Sequence, residues 1–87
     1  MTTPAQQVID KCKTLLALAS EKYSLNLSQV GIRLDLKGRA AGMACRRGSQ
    51  YYMRFNRDMM GREAFDHLLN NTVPHEIAHI VCLMNPA

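Results

Sequence analysis

The first quarter of the chain has apolar residues at helical spacing. Thr3 is followed by Pro4 and, three residues after the threonine, by Gln6, which is the pattern of an N-cap, a first-turn proline and a capping-box partner. Apolar side chains then recur every three or four positions, at Val8, Cys12, Leu15, Leu16, Ala19 and Tyr23. The pattern predicts one amphipathic helix over residues 4–24, with its apolar stripe facing the core.

The apolar period then changes from helical to alternating. Residues 30–36 alternate apolar and other side chains, which predicts a half-buried strand. Residues 40–46 indicate a weaker second strand, and residues 50–56 a third. The segments 37–39 and 47–49 contain glycine and look like tight turns. Because such short turns join consecutive antiparallel strands, we expect a small three-stranded antiparallel sheet in meander order.

The last part of the chain returns to helical spacing. Residues 62–70 are predicted to form a helix whose apolar face consists of Phe65, Leu68 and Leu69, and the segment 71–74 interrupts or kinks this helix. Pro74 suits the first turn of a new helix over residues 74–84, because an N–H there would have no intrahelical partner. The order of helix, strands and helices predicts an α+β fold, in a single domain that comprises residues 1–87.

Composition places the chain among ordinary globular proteins. It has 87 residues, of which 47% are hydrophobic and 21% charged, and this excludes a disordered chain. No apolar run approaches the roughly 18 residues of a membrane span. The three cysteines, Cys12, Cys45 and Cys82, are widely spaced and fit neither a disulfide framework nor a zinc knuckle. With no export signal, we expect a cytoplasmic protein whose thiols are small core residues.

The positive charge is concentrated in the middle of the chain. The formal net charge is +4, and residues 33–62 carry eight Lys and Arg against two Asp, whereas residues 63–87 carry no Lys or Arg. A basic segment can contact nucleic-acid phosphates. The alternative is a solvated face of the sheet, and no RNA-binding signature decides between the two.

One motif carries recognisable chemistry. His75, Glu76 and His79 form the sequence H-E-x-x-H within the last predicted helix. Residues four apart lie on one side of a helix, so two imidazole nitrogens can hold one Zn²⁺ at about 2.0–2.1 Å. The glutamate that follows the first ligand can take a proton from a water that attacks a carbonyl. The motif therefore predicts His75 and His79 as zinc ligands and Glu76 as a general base.

A catalytic zinc site usually has three protein ligands, and the sequence does not supply an obvious third. Cys82 lies about 10 Å from His75 along the helix axis, at about 1.5 Å per residue, so we expect a core thiol there. His67 precedes the motif, whereas the third ligand usually follows it, so we expect a surface or capping residue. Cys82 and Asn85 stand where metzincins require Gly and His, which excludes that class.

Three segments together resemble the SprT-like zinc metalloproteases. Residues 72–81, TVPHEIAHIV, are similar to the active-site helix of that family. Residues 38–42, GRAAG, resemble the entry to one of its strands, and residues 53–56, MRFN, resemble its third strand. The three segments occur in the family's order over most of the chain, and the helix segment is the specific one.

The resemblance implies a helix, a small antiparallel sheet and a zincin-type helix, with His75 and His79 as ligands and Glu76 as the base. It also implies a third histidine further along, which these 87 residues lack. The chain then corresponds to the N-terminal half of such a domain, truncated after the active-site helix. Eukaryotic relatives degrade proteins crosslinked to DNA.

Two functions follow from these observations. The first is a zinc-dependent metallopeptidase that hydrolyses protein or peptide substrates. The alternative is a catalytically incomplete fragment that binds nucleic acid through the basic segment 33–62. For the first, the strand nearest the zinc helix can pair with an extended substrate through main-chain bonds. Residues 50–56 are the candidate for that edge strand. The alternative is that they form an ordinary strand of the sheet with no role in binding substrate.

Overall fold

The computed structural model describes residues 2–85 and confirms the α+β class. A long helix precedes three strands, and a continuous helical run follows them. The elements are α1 (Pro4–Tyr23), β1 (Gly31–Leu36), β2 (Gly42–Arg47), β3 (Gln50–Asn56), a 3₁₀ turn (Arg57–Met59), α2 (Arg62–His67), a π-helical turn (Leu68–Thr72) and α3 (Val73–Met84).

Helix α1 begins and ends close to the predicted residues. The Thr3 side chain accepts a hydrogen bond from the Gln6 N–H at 3.1 Å, as the capping pattern predicted. Ser24 ends the helix in the left-handed conformation, with φ of 54°. Four residues of the predicted stripe are buried, whereas Tyr23 lies at the helix end and is 45% exposed.

The prediction of an antiparallel meander is wrong, because the sheet is mixed. Its order is β1-β3-β2, with β3 parallel to β1 and antiparallel to β2. The segment 37–41 does not turn β2 back against β1. It crosses the end of β3 instead, and this leaves the central position for the third strand. The segment 37–41 is therefore a crossover connection. The meander prediction had treated residues 37–39 as a tight turn between neighbouring strands.

Asn56 holds that crossover in place. Its side chain is fully buried at the end of β3, where the Nδ2 group donates hydrogen bonds to the carbonyls of Gly38 at 2.8 Å and Ala40 at 3.0 Å. Its Oδ1 accepts a hydrogen bond from the Asp58 N–H at 3.0 Å, and its own N–H donates to the Ala41 carbonyl. One amide side chain thus fixes both the crossover and the start of the 3₁₀ turn.

The segment 71–74, where the sequence predicts an interruption or a kink, does not end the helical run. The backbone stays helical from Arg62 to Met84, and a π-helical turn over Leu68–Thr72 separates α2 from α3. The Val73 N–H donates to the Leu68 carbonyl, a bond across five residues. Pro74 has no N–H to offer and its ring would clash with the carbonyl four residues before it. The extra residue of the π turn absorbs this conflict without ending the helix.

The core lies between the sheet and the helices on one of its faces. Helices α1 and α3 pack against each other, and α3 also covers β2 and β3. The buried apolar cluster is formed by Val8, Cys12, Leu16, Ala19, Leu27, Val30, Met53, Phe55, Leu68, Val73, Ile77 and Ile80. Within residues 2–85, no helix has the length and apolar character that a membrane span needs.

The expectation that all three thiols are core residues is right for one of them. Cys12 is fully buried, and burial raises the pKa of its thiol to about 12. Cys45 is half-buried on the sheet, and Cys82 is exposed on α3. The prediction for Cys82 was wrong because it lies on the solvent side of an amphipathic helix.

Candidate metal centre

The structure brings the two motif histidines together on one side of α3. Their Nε2 atoms lie 2.9 Å apart, and the rings meet edge to face at 84° with centroids separated by 4.5 Å. Both side chains are exposed. The two Nε2 atoms are thus within hydrogen-bond distance of each other on the exposed side of the helix.

Glu76 lies beside this pair but faces the sheet. The residue is only 7% exposed, and no hydrogen bond or ion pair joins its carboxylate to the side chains that the structure describes. No side-chain oxygen in that part of the chain is both fully buried and unpartnered, so the carboxylate keeps contact with solvent. Its stem is therefore buried while its oxygens remain accessible to water.

A glycine of β2 makes room for this carboxylate. A Cβ at Gly42 would lie 2.7 Å from Thr72 Cγ2, 3.0 Å from Glu76 Cγ and 3.3 Å from Glu76 Oε2. The first distance is shorter than real Cβ contacts allow, so the strand approaches the helix as closely as it does only because residue 42 has no side chain. Sequence reasoning did not assign Gly42 or Thr72 to the site, and the glycine at the entry to β2 was the available signal.

Two shallow clefts flank Glu76, one toward each histidine. His67, Asn71 and His75 line the first together with residues 40–42, and His79 and Leu83 line the second together with residues 42–44. Glu76 borders both clefts. Glu76 is therefore the residue that the two clefts share.

The open edge of the sheet beside this site belongs to β2, so the prediction that residues 50–56 form the edge is wrong. Strand β3 is central. The Asn56 N–H bonds the Ala41 carbonyl, and in an antiparallel ladder hydrogen-bonded pairs alternate with non-bonded ones. The main-chain groups of Gly42, Ala44 and Arg46 are consequently directed away from β3, to the open edge.

The described residues do not provide a third metal ligand. Within residues 2–85, no three His, Cys, Asp or Glu side chains come together in a group that could hold a metal ion. His67 is exposed and its Nδ1 lies 2.9 Å from Asn71 Nδ2, as expected for a surface residue. Cys82 is exposed but lines the groove between α1 and α3, away from the two clefts.

The geometry of the pair nonetheless fits two ligands of a tetrahedral ion. Nitrogens at about 2.0–2.1 Å from a zinc with tetrahedral angles lie about 3.3 Å from each other. The observed 2.9 Å between the Nε2 atoms is a few tenths of an ångström shorter, a difference that small rotations of exposed rings can supply. The donor set of two imidazoles and a nearby carboxylate is also one that zinc prefers.

No protein-family model, curated protein or solved structure matches this chain.

Proposed function

We propose that this chain carries the catalytic helix of a zinc-dependent metallopeptidase of the SprT-like type. The observation that carries the proposal is the convergence of His75 and His79 Nε2 atoms at 2.9 Å, with the buried-stem carboxylate of Glu76 beside them. The i, i+4 spacing brings the two imidazoles together, and the carboxylate that follows the first of them supplies the third group that metal-assisted hydrolysis needs.

His75 and His79 would hold the zinc ion, and a third ligand would come from outside residues 2–85. When bound, zinc acts as a Lewis acid and lowers the pKa of water toward about 7. The exposed position of both rings leaves room on the solvent side for that further ligand and for a substrate carbonyl. The protein's own contribution is to hold two imidazole nitrogens close together on one side of α3.

Glu76 has the properties required of the general base. Its stem is buried beside Gly42, and the residue lines the clefts on both sides of the histidine pair. A carboxylate held in this way can accept a proton from an attacking water and return it to the leaving amine. Because residue 42 has no side chain, the Glu76 stem can lie against the strand at this point.

Strand β2 would orient the substrate. The main-chain groups of Gly42, Ala44 and Arg46 point to the open edge, and residues 42–44 line the clefts that contain Glu76 and His79. An extended peptide that pairs with this edge places its backbone carbonyls beside the catalytic residues. The small side chains at 42 and 44 leave that path free.

Zinc titration of the purified protein tests the ligand assignment. We expect up to one zinc per chain by calorimetry and by metal analysis after gel filtration. His75→Ala and His79→Ala should each weaken binding strongly, whereas His67→Ala, an exposed histidine in the same helical run, should leave it unchanged. Zinc bound equally by the His75→Ala/His79→Ala double variant would exclude this assignment.

Hydrolysis of an unfolded protein such as reduced casein tests the role of Glu76. Because the described residues supply two nitrogens, imidazole is added with zinc as an exogenous third ligand. Glu76→Gln should abolish zinc-dependent cleavage while the bound zinc remains at the parent level. Cleavage that continues at the parent rate in Glu76→Gln would show that another group is the base.

A further inference from the structure

The face of the sheet opposite the helices is uncovered and carries its own pattern of side chains. Strand alternation directs Met53 and Phe55 to the core, so their neighbours Tyr52 and Arg54 point to the other side. The register of the ladders then places further residues beside these two. We call this surface the outer face; it consists of Gly31, Arg33, Asp35, Met43, Cys45, Arg47, Gln50, Tyr52 and Arg54.

The outer face is basic, and part of its charge is unpaired. Arg54 donates a hydrogen bond to Asp35 at 2.8 Å, and this ion pair neutralises both groups. Arg33 and Arg47 are exposed, and neither makes an ion pair or a side-chain hydrogen bond with another residue in the part of the chain that the structure describes. Two guanidinium groups with free donors therefore lie on one flat surface.

An aromatic ring lies between these charges. The guanidinium of Arg33 stacks over Tyr52 at 4.3 Å from the ring centroid. Gly31 is the direct neighbour of Tyr52 on β1, and even a Cβ at this glycine would come within 3.1 Å of Tyr52 Cβ. A cleft lined by Gly31, Arg33, Gln50 and Tyr52 opens at this end of the sheet. Because Arg33 is exposed, the side of its guanidinium that faces away from Tyr52 can be reached by a planar ligand.

We propose that the outer face binds single-stranded nucleic acid, with a base stacked at the Arg33–Tyr52 pair and phosphates on Arg33 and Arg47. Aromatic rings and guanidinium planes on an open sheet are suited to unstacked bases, while neighbouring cations bind the backbone. A duplex keeps its base faces covered and offers only phosphates to such a surface. The site lies on the side of the sheet opposite the histidine pair and does not depend on the proposed peptidase.

Only part of the basic segment 33–62 takes part in this surface. Arg46 alternates to the helix side of β2, where its Nε donates to the Gly48 carbonyl at 3.0 Å. Arg39 and Arg57 lie outside the strands. The segment therefore contains more positive charges than the proposed site uses. The site depends on the two unpaired arginines and the tyrosine of the outer face.

Fluorescence anisotropy with a labelled oligo-dT of about 15 nucleotides tests the proposal in metal-free buffer at about 50 mM salt. We expect binding that weakens as salt rises. Arg33→Gln/Arg47→Gln should lower the affinity about tenfold and reduce the salt slope by about 1.4, at about 0.7 per lost phosphate contact. The matched control Lys13→Gln/Lys22→Gln removes two exposed charges of α1, away from the outer face, and should change the affinity less than twofold.

Tyr52 variants separate stacking from charge alone. Tyr52→Leu should lower the affinity about fivefold or more, and Tyr52→Phe should retain it. A duplex of the same length should bind more weakly than the single strand. The proposal is overturned if no binding occurs at about 50 mM salt, if the α1 control loses as much affinity as the outer-face variant, if Tyr52→Leu binds like the parent, or if the duplex binds better.

Discussion

Glu76 occupies the space that a side chain at Gly42 would need. The hypothetical Cβ at residue 42 lies 3.0 Å from Glu76 Cγ, and the same point lies 2.7 Å from Thr72 Cγ2. The strand and the helix come this close only because residue 42 has no side chain. The glycine therefore leaves the space that Glu76 occupies, although it contributes no functional group of its own.

Gly42→Ala should destabilise the protein and displace Glu76. The added methyl group meets Thr72 and Glu76 from the helix side, so α3 must move away from β2 or the side chains must rotate. Overpacking of this kind costs about 1–3 kcal/mol. Urea unfolding followed by circular dichroism measures the free energy, and we also expect a loss of zinc-dependent cleavage.

A second substitution identifies the cause. Thr72→Ser removes the Cγ2 atom that makes the shortest contact, so the Gly42→Ala/Thr72→Ser double variant should regain part of the lost stability. Strictly additive effects of the two substitutions would contradict the steric explanation.

Asn56→Ala should loosen the crossover between β1 and β2. It removes the donor for the Gly38 and Ala40 carbonyls and the acceptor for the Asp58 N–H. Unsatisfied groups of this kind cost about 1–3 kcal/mol, and each kcal/mol lowers the Tm of a domain this small by about 4–8 °C.

Asn56→Asp provides the complementary variant. It keeps an acceptor for Asp58 N–H but cannot donate to the two carbonyls, so a thermal melt should show a Tm well below that of the parent. A parent-like Tm for both variants would mean that the crossover does not depend on this side chain.

The sequence allowed the individual elements to be predicted because each has a local cause. The Thr3 cap and the apolar stripe of α1 act within one helix, and the alternation over residues 50–56 acts within one strand. The order of the strands depends on a contact between residues far apart in the chain. The Asn56 side chain donates hydrogen bonds to carbonyls 16 and 18 residues earlier, and no local sequence pattern predicts such bonds.

The same distinction applies to the candidate site. The spacing of His75 and His79 indicated their meeting because both lie on one helix. The edge strand was misassigned because its identity depends on the sheet order. The contact of Gly42 with Glu76 joins residues 34 positions apart and depends on how α3 packs on β2, which periodicity does not specify.

The Asp35–Arg54 pair should make stability depend on pH in the acidic range. The hydrogen bond from Arg54 lowers the pKa of Asp35 below its ordinary value of 3.8. A lowered pKa in the folded protein means that this contribution is present above pH 3.8 and is lost as the pH falls through the folded-state pKa. Asp35→Asn should unfold at a lower urea concentration than the parent at pH 7.

The pH dependence distinguishes the ion pair from a general effect of the substitution. The difference between the urea concentrations at which Asp35→Asn and the parent unfold should become smaller as the pH is lowered below 3.8, because Asp35 of the parent is then protonated. Salt at 1 M should also reduce this difference in urea concentration at pH 7, since Asp35 and Arg54 are both solvent-accessible. A difference in urea concentration that stays constant from pH 7 to the acid range would contradict this mechanism.

The three thiols should differ in their rate of alkylation. Iodoacetamide reacts with the thiolate, and burial raises the pKa of Cys12 to about 12, so almost none is ionised at pH 8. Cys82 is exposed on α3 and should react first, followed by the half-buried Cys45. Mass spectrometry of peptides from a timed reaction should therefore find Cys12 unmodified in the native protein.

Unfolding and alkaline pH provide the control for Cys12. In concentrated urea all three thiols should react at similar rates, because the unfolded chain restores the ordinary pKa of 9.0. Since the folded thiol keeps its proton up to a higher pH than the unfolded one, its burial should also lower the free energy of unfolding as the pH rises from 9.0 to about 12. Cys12→Ala should remove this part of the decrease in unfolding free energy at alkaline pH. In the alkylation experiment, labelling of native Cys12 as fast as Cys82 would show that the core around Cys12 opens readily.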